Sequence, residues 1–199
     1  MASDARVIAL ARTSREDALA LLYEAYRAKI YTFLLRLTGD AHAADDLTQD
    51  TFLKAYRALG QLTDSHRLLP WLYRIASNAA TDAARRRKRI AWQPLLTLEG
   101  GKDEPNVDDD QHPVAEREHI DATLRSLPVE NAAALLLHAL EGYSYKEIAE
   151  IQGCSLTAVR SRIARARSAF RSLYAGEAGA EPSSGRRSAT HLDAQTSSK

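Results

Sequence analysis

Between Gln93 and Asp121 the chain carries nine acidic and two basic residues, with Pro94, Gly100, Gly101, Pro105 and Pro113 distributed among them. A stretch of this kind buries too little apolar surface to offset the entropy lost on ordering, and its prolines and glycines interrupt any regular element. A chain of 199 residues divided at that point has room for two small domains, and a large multidomain enzyme is excluded. The expected division is an N-terminal tail over 1–15, a first domain over 16–92, an acidic linker over 93–114, a second domain over 115–174 and a disordered tail over 175–199. In the last of these Leu192 is the single large aliphatic residue among Gly, Ser, Ala and Thr.

The formal net charge of +1 argues against a nucleic-acid binder only until it is resolved along the chain. Glu16–Trp92 carries +3, the connector Gln93–Asp121 carries −7, and Ala122–Tyr174 carries +3 again. Two mildly basic blocks therefore flank a polyanionic segment. The lone cysteine, Cys154, cannot close an internal disulfide, and no Cys/His cluster has zinc-site spacing, so no metal or other cofactor is expected. Charges interleave the N-terminal 20 residues, and the longest strongly apolar run, Ala132–Leu137, is far shorter than a bilayer span. The expectation is a soluble cytoplasmic protein without membrane insertion.

Both basic blocks show apolar residues at helical spacing and no sustained alternation, which predicts an all-α fold. In the first block Leu19, Leu22, Tyr23, Tyr26 and Ile30 mark one face of a helix that Gly39 closes. Asp40 then caps a second helix from about Ala41 to Leu59. Pro70 suits the first turn of a third helix, which ends in Arg85-Arg86-Arg87-Lys88-Arg89. In the second block Pro128 opens a helix closed by Gly142. Ser144 and Glu147 form a capping box for a short helix, and Gly153 and Ser155 lead into a last helix from Leu156 to about Tyr174.

Three constellations carry functional information. Ala149, Gly153 and Val159 are spaced as in a helix-turn-helix: a small residue admits the second helix, glycine permits the turn, and a β-branched residue packs back. The following helix has a predicted buried stripe of Val159, Ile163, Ala166 and Phe170, with Arg160, Arg162, Arg165, Arg167 and Arg171 elsewhere. No acidic residue lies between Leu156 and Tyr174 to balance them. That is an electrostatic footprint for phosphates and base edges. A second constellation lies in Ala44–Tyr56, where Phe52, Ala55, Tyr56 and Leu59 fall on a core face. Asp46, Gln49, Asp50, Leu53 and Arg57 share the opposite one, a docking surface built around an exposed leucine. The third is Trp71–Asn78, aromatic residues and an amide on a helix with a concentrated basic end, a pattern suited to unstacked strands as well as to a core tryptophan with a solvated terminus.

In this order the blocks resemble the extracytoplasmic-function (group IV) sigma factors of bacteria. Leu21-Leu22-Tyr23 through Leu37-Thr38-Gly39-Asp40, Ala44–Tyr56 and Trp71–Asn78 are similar to sigma domain 2. Leu127-Pro128, Glu141–Ala149 and Val159-Arg160-Ser161-Arg162 are similar to sigma domain 4. The resemblance implies a non-catalytic, dissociable subunit of core RNA polymerase that directs promoter recognition, melting and initiation. It implies that Asp46, Gln49, Asp50, Leu53 and Arg57 dock on the β′ clamp helices, with further contacts to the β subunit. It implies minus-10 contacts by Asp64, Ser65, His66, Arg67 and Leu68 of the loop Leu62–Leu69, and by Trp71, Arg74, Asn78, Arg85, Arg86 and Arg87 of the helix that supports it. In the minus-35 major groove it implies Thr157, Arg160, Ser161, Ala164 and Arg165, with Arg162 and Arg167 leaning towards phosphates. An anti-sigma factor is the implied regulator, and no small-molecule substrate is implied.

Two other functions compete. A stand-alone helix-turn-helix repressor accounts for the arginine helix but leaves the Asp46–Arg57 face and the tryptophan block without a role. A helical enzyme lacks support, because no phosphate loop or nucleophile elbow is present and the six histidines are scattered.

Overall fold

The computed structural model describes residues 2–61, 68–92 and 120–178, and among these every regular element is helical. In chain order they are α1 (Ala2–Leu10), α2 (Arg15–Thr38), α3 (Ala41–Ala58) with a 3-10 turn at Leu59–Gln61, α4 (Leu68–Trp92), α5 (120–126), α6 (Val129–Ala139), α7 (Tyr145–Gln152) and α8 (Leu156–Ala178). No helix of the described residues is long and apolar enough to cross a membrane. The linker and the C-terminal tail lie outside the described residues.

The helix boundaries follow local chemistry. Ser14 caps α2 by accepting from the Asp17 amide at 3.3 Å, and Gly39, left-handed at φ 69°, ends it. Asp40 then accepts from the amides of His42 (2.9 Å) and Ala43 (3.1 Å), and these bonds, that from Ala43 foremost, hold its carboxyl below the usual range. Leu68 and Leu69 precede Pro70 in the first turn of α4, where its missing amide costs no helical bond. Between α7 and α8 the capping box of Ser144 and Glu147 is complete, Gly153 is left-handed at φ 60°, and Ser155 accepts from the Ala158 amide at 3.1 Å.

Packing organises α2, α3 and α4 around Leu22, Ile30, Leu34, Leu59, Leu68 and Leu72, all fully buried, each side chain contributing about 1.5–3 kcal/mol. Thr48 and Thr51 join this core because their hydroxyls donate to the carbonyls of Ala44 and Leu47, each at 2.7 Å. The second set of helices closes on Leu137, Ile148, Val159, Ile163 and Ala166.

Three findings depart from the sequence expectations. Residues 2–10, expected within a tail, form α1, whose Val7 and Ile8 are buried with Ala11 just beyond it; Tyr26 anchors the helix by donating to Asp4 at 2.6 Å. Tyr23, expected on the core face of α2, is 40% exposed and meets Phe52 edge-on at 4.9 Å. The two helical blocks also share one continuous core. Gly142, at φ 74°, turns the chain so that the Tyr143 amide donates to the Leu137 carbonyl at 3.0 Å, and the Tyr143 ring packs edge-on against Tyr73 at 5.9 Å. Tyr73 in turn packs on Phe33 at 5.0 Å. Burial first, then the charges of Glu141 and Glu147, push the Tyr143 phenol up to about 12.

Candidate polymerase and nucleic-acid interfaces

Three surfaces correspond to the three constellations. On α3, Asp46, Gln49, Leu53 and Arg57 are exposed and Asp50 is half-buried, with Leu53 at 54% one of the few large apolar side chains open to solvent. The opposite side of the helix places Phe52, Ala55 and Leu59 in the core, as the spacing predicts, with Tyr56 at its edge. The carboxylates are not equivalent. Asp50 pairs with Lys54 at 3.3 Å, and Asp45 is held by Gln49 at 2.9 Å and Arg27 at 3.5 Å, whereas Asp46 has no ion pair among the described residues. Tyr23 and Arg27, whose guanidinium carbon lies 5.8 Å from the tyrosine ring centre, extend the surface onto α2. Sequence reasoning missed both; their i, i+4 spacing was the available signal.

On α4, Arg74 and Asn78 are exposed on one side of the helix, and Arg85, Arg86 and Arg87 are exposed at its basic end. Trp71 is partly buried against the core. Leu68, the first residue of α4, is fully buried and fastens the helix to the core. Asp64, Ser65, His66 and Arg67 lie outside the described residues. Arg85 bridges to Glu130 of α6 at 3.3 Å.

On α8 the predicted stripe is buried at Val159, Ile163 and Ala166 and partly buried at Phe170. Ala149 packs on that core, so the small residue, the left-handed glycine and the valine all take their expected places. Thr157, Arg160, Ser161, Ala164, Arg165 and Arg167 are exposed. Arg162 is half-buried and donates to Gln152 Oε1, at the end of α7, at 2.6 Å and to Cys154 Sγ, in the turn, at 3.3 Å, so it braces the motif. An exposed row of short and cationic side chains on a helix held by such a brace has the form of a major-groove reader.

Comparison with known proteins bears on both halves. Residues 22–90 match Sigma-70 region 2, and residues 117–170 match Sigma-70 region 4. The RNA polymerase sigma-H factor of Pseudomonas aeruginosa is 36% identical over 171 residues, covering 80% of this chain and 88% of the relative. The ECF RNA polymerase sigma factor SigM of Bacillus subtilis is 32% identical over 155 residues, covering 77% of this chain and 93% of the relative.

The chain belongs to the extracytoplasmic-function sigma factors.

Its function is that of the family, to direct RNA polymerase in transcription initiation. A solved relative, the sigma factor RpoE of Bartonella quintana in complex with the anti-sigma factor NepR, shares the fold at a TM-score of 0.58. It is 26% identical, with 79% of this chain and 94% of that one covered. In this sigma factor the region 2 match takes in most of α2 and all of α3, together with α4 as far as Ile90, and the region 4 match ends at Phe170 within α8. Helix α1 precedes both matches.

Proposed function

We propose that this sigma factor divides its task among the three surfaces. The domain over 16–92 binds core polymerase through Asp46, Gln49, Asp50, Leu53 and Arg57, which meet the β′ clamp helices, and the β subunit adds further contacts. The same domain holds the minus-10 strand with the segment 64–67, Trp71, Arg74 and Asn78 and neutralises phosphates with Arg85, Arg86 and Arg87. The domain over 115–174 reads the minus-35 duplex with Thr157, Arg160, Ser161, Ala164 and Arg165, while Arg167 contacts backbone phosphate. The linker over 93–114 sets the reach between the two. The subunit is non-catalytic and works in the cytoplasm, and an anti-sigma factor restrains it, as NepR binds the Bartonella relative.

The observation that carries the DNA assignment is the outer face of α8. Four of its five arginines lie outside the buried stripe and outside the Arg162 brace, and no carboxylate stands between Leu156 and Tyr174 to neutralise them. A solvated face of a purely structural helix would mix both signs.

Run-off transcription with core polymerase on a promoter library tests polymerase binding and both promoter elements together. Specific transcripts from a shared minus-35 and minus-10 pair are expected. Tight duplex binding without polymerase and without any transcript would instead establish a repressor.

A further inference from the structure

The seam between the two helical blocks holds a cleft of about 660 Å³, within the range of small-molecule sites. Its cationic lining comes from both sides. Arg85, Arg87 and Lys88 reach it from the end of α4, and Arg125 reaches it from α5, where its side chain lies across the C-terminal glycine of α2 in the space that a side chain on Gly39 would occupy. Glu130 is the one carboxylate among the described lining residues, and Arg85 already pairs with it at 3.3 Å. Arg87, Lys88 and Arg125 have no ion pair among the described residues; Arg87 feels the charge of Asp40, whose oxygen is already engaged in capping α3. Like charges that line one cleft repel one another unless an anion joins them. Val129 also lines the cleft, where α6 begins at Pro128 with no side-chain cap, although the Pro128 carbonyl already accepts from the Asn131 amide at 2.8 Å. The walls between these groups are apolar, formed by residues such as Leu37, Ala80 and Leu127.

We propose that this seam cleft binds a nucleoside polyphosphate, with the phosphate chain held between the α4 cations and Arg125 and the nucleobase laid against the apolar walls. The ligand joins the two domains, because no single domain supplies all the cations. It also engages the arginines that the promoter reading assigns to minus-10 phosphates, so ligand and promoter compete for them. The binding event itself is independent of that reading.

The test uses the full chain, magnesium-free ATP, inorganic tripolyphosphate and adenosine in isothermal titration. ATP is expected to bind more tightly than tripolyphosphate, and adenosine not measurably. Loss of one charge-assisted contact in Arg125→Ala or Lys88→Ala should weaken ATP by about tenfold. Arg125→Ala should leave the minus-35 duplex affinity unchanged, since Arg125 belongs to no promoter surface. Equal affinity for ATP and tripolyphosphate would overturn the nucleoside assignment. No binding at millimolar ligand, or binding that neither variant weakens, would overturn the site. Should a variant fail to fold by circular dichroism, amide chemical shifts of the wild-type chain decide the matter. ATP should move Ser126, Val129 and Glu130, and shifts confined to α8 would place the anion on the recognition helix and reject the cleft.

Discussion

Arg162 donates to Gln152 Oε1 at 2.6 Å, so one arginine of the recognition helix holds the helix-turn-helix together while its neighbours face solvent. Removing that charge-assisted bond should cost about 1–2 kcal/mol. For a chain of this size the melting midpoint would fall by about 2–4 °C per kcal/mol. Arg162→Ala should therefore melt earlier and bind every minus-35 sequence less well. Arg160→Ala should melt like the wild type and relax preference at one base pair, a loss of about 1–3 kcal/mol of discrimination. Arg167→Ala should weaken all sequences and reduce the salt slope by about one. Thermal denaturation beside duplex titrations at two salt concentrations checks all three.

The α3 surface yields a separable expectation. Asp50 is only half-buried and its partner is Lys54 on the same helix, an exposed pair worth about 0.3–0.5 kcal/mol. Asp50→Arg should therefore fold nearly as the wild type does yet lose affinity for core polymerase, because it reverses charge beside the exposed Leu53. Leu53→Asp should act in the same direction without touching the Lys54 pair. Co-purification with core polymerase measures the loss, and full retention in both variants would remove this face from the docking surface.

The capping box gives a pH dependence. The Ser144 hydroxyl, and then its amide, bind the Glu147 carboxylate at 2.6 and 2.8 Å and lower its pKa from the usual 4.5. A carboxyl lowered on folding contributes stability that is fully present above the unfolded value and is lost as pH falls through the folded one. Glu147→Gln should accordingly be less stable than the wild type at pH 7, and the difference should narrow as pH drops past 4.5. Ser144→Ala removes the cap itself and should cost about 1 kcal/mol at neutral pH. Urea midpoints from pH 3 to pH 7 separate the two effects.

That capping box also marks where sequence reasoning succeeds. Ser144 with Glu147, Gly39 with Asp40, and Gly153 with Ser155 act within a few residues of themselves, so the helix ends they set could be read from the order of residues. The exposed rows on α3 and α8 were legible for the same reason, since helical spacing alone decides which residues oppose the core. What lay beyond reach depends on distant partners. Nothing local to Tyr143 states that Gly142 will turn its ring onto Tyr73, some 70 residues earlier, and so the shared core was not foreseen. Arg162 differs from Arg160 only once the turn brings Gln152 and Cys154 beside it. Helix α1 falls between these cases: Val7, Ile8 and Ala11 have helical spacing, but alternating charges masked a segment too short to be stable until it packs on α2.

Asn78 distinguishes strand capture from duplex binding. It is exposed on α4 one turn beyond the exposed Arg74, on the helix that leads away from the segment assigned to the minus-10 strand. If it contacts an unstacked base, Asn78→Ala removes an interaction that exists only after the strands separate. On the proposed division of surfaces the closed complex draws on Arg160 and Arg165, so it should form with nearly wild-type affinity, while the rate of promoter opening falls. A template with a premelted minus-10 bubble should not restore full activity, because the lost contact is to the single strand itself. Permanganate footprinting of the bubble measures opening, and gel-shift titration on the closed promoter measures the earlier step. Opening at the wild-type rate would show that Asn78 is a bystander on the surface of α4 and would transfer strand capture to the neighbouring side chains Trp71 and Arg74.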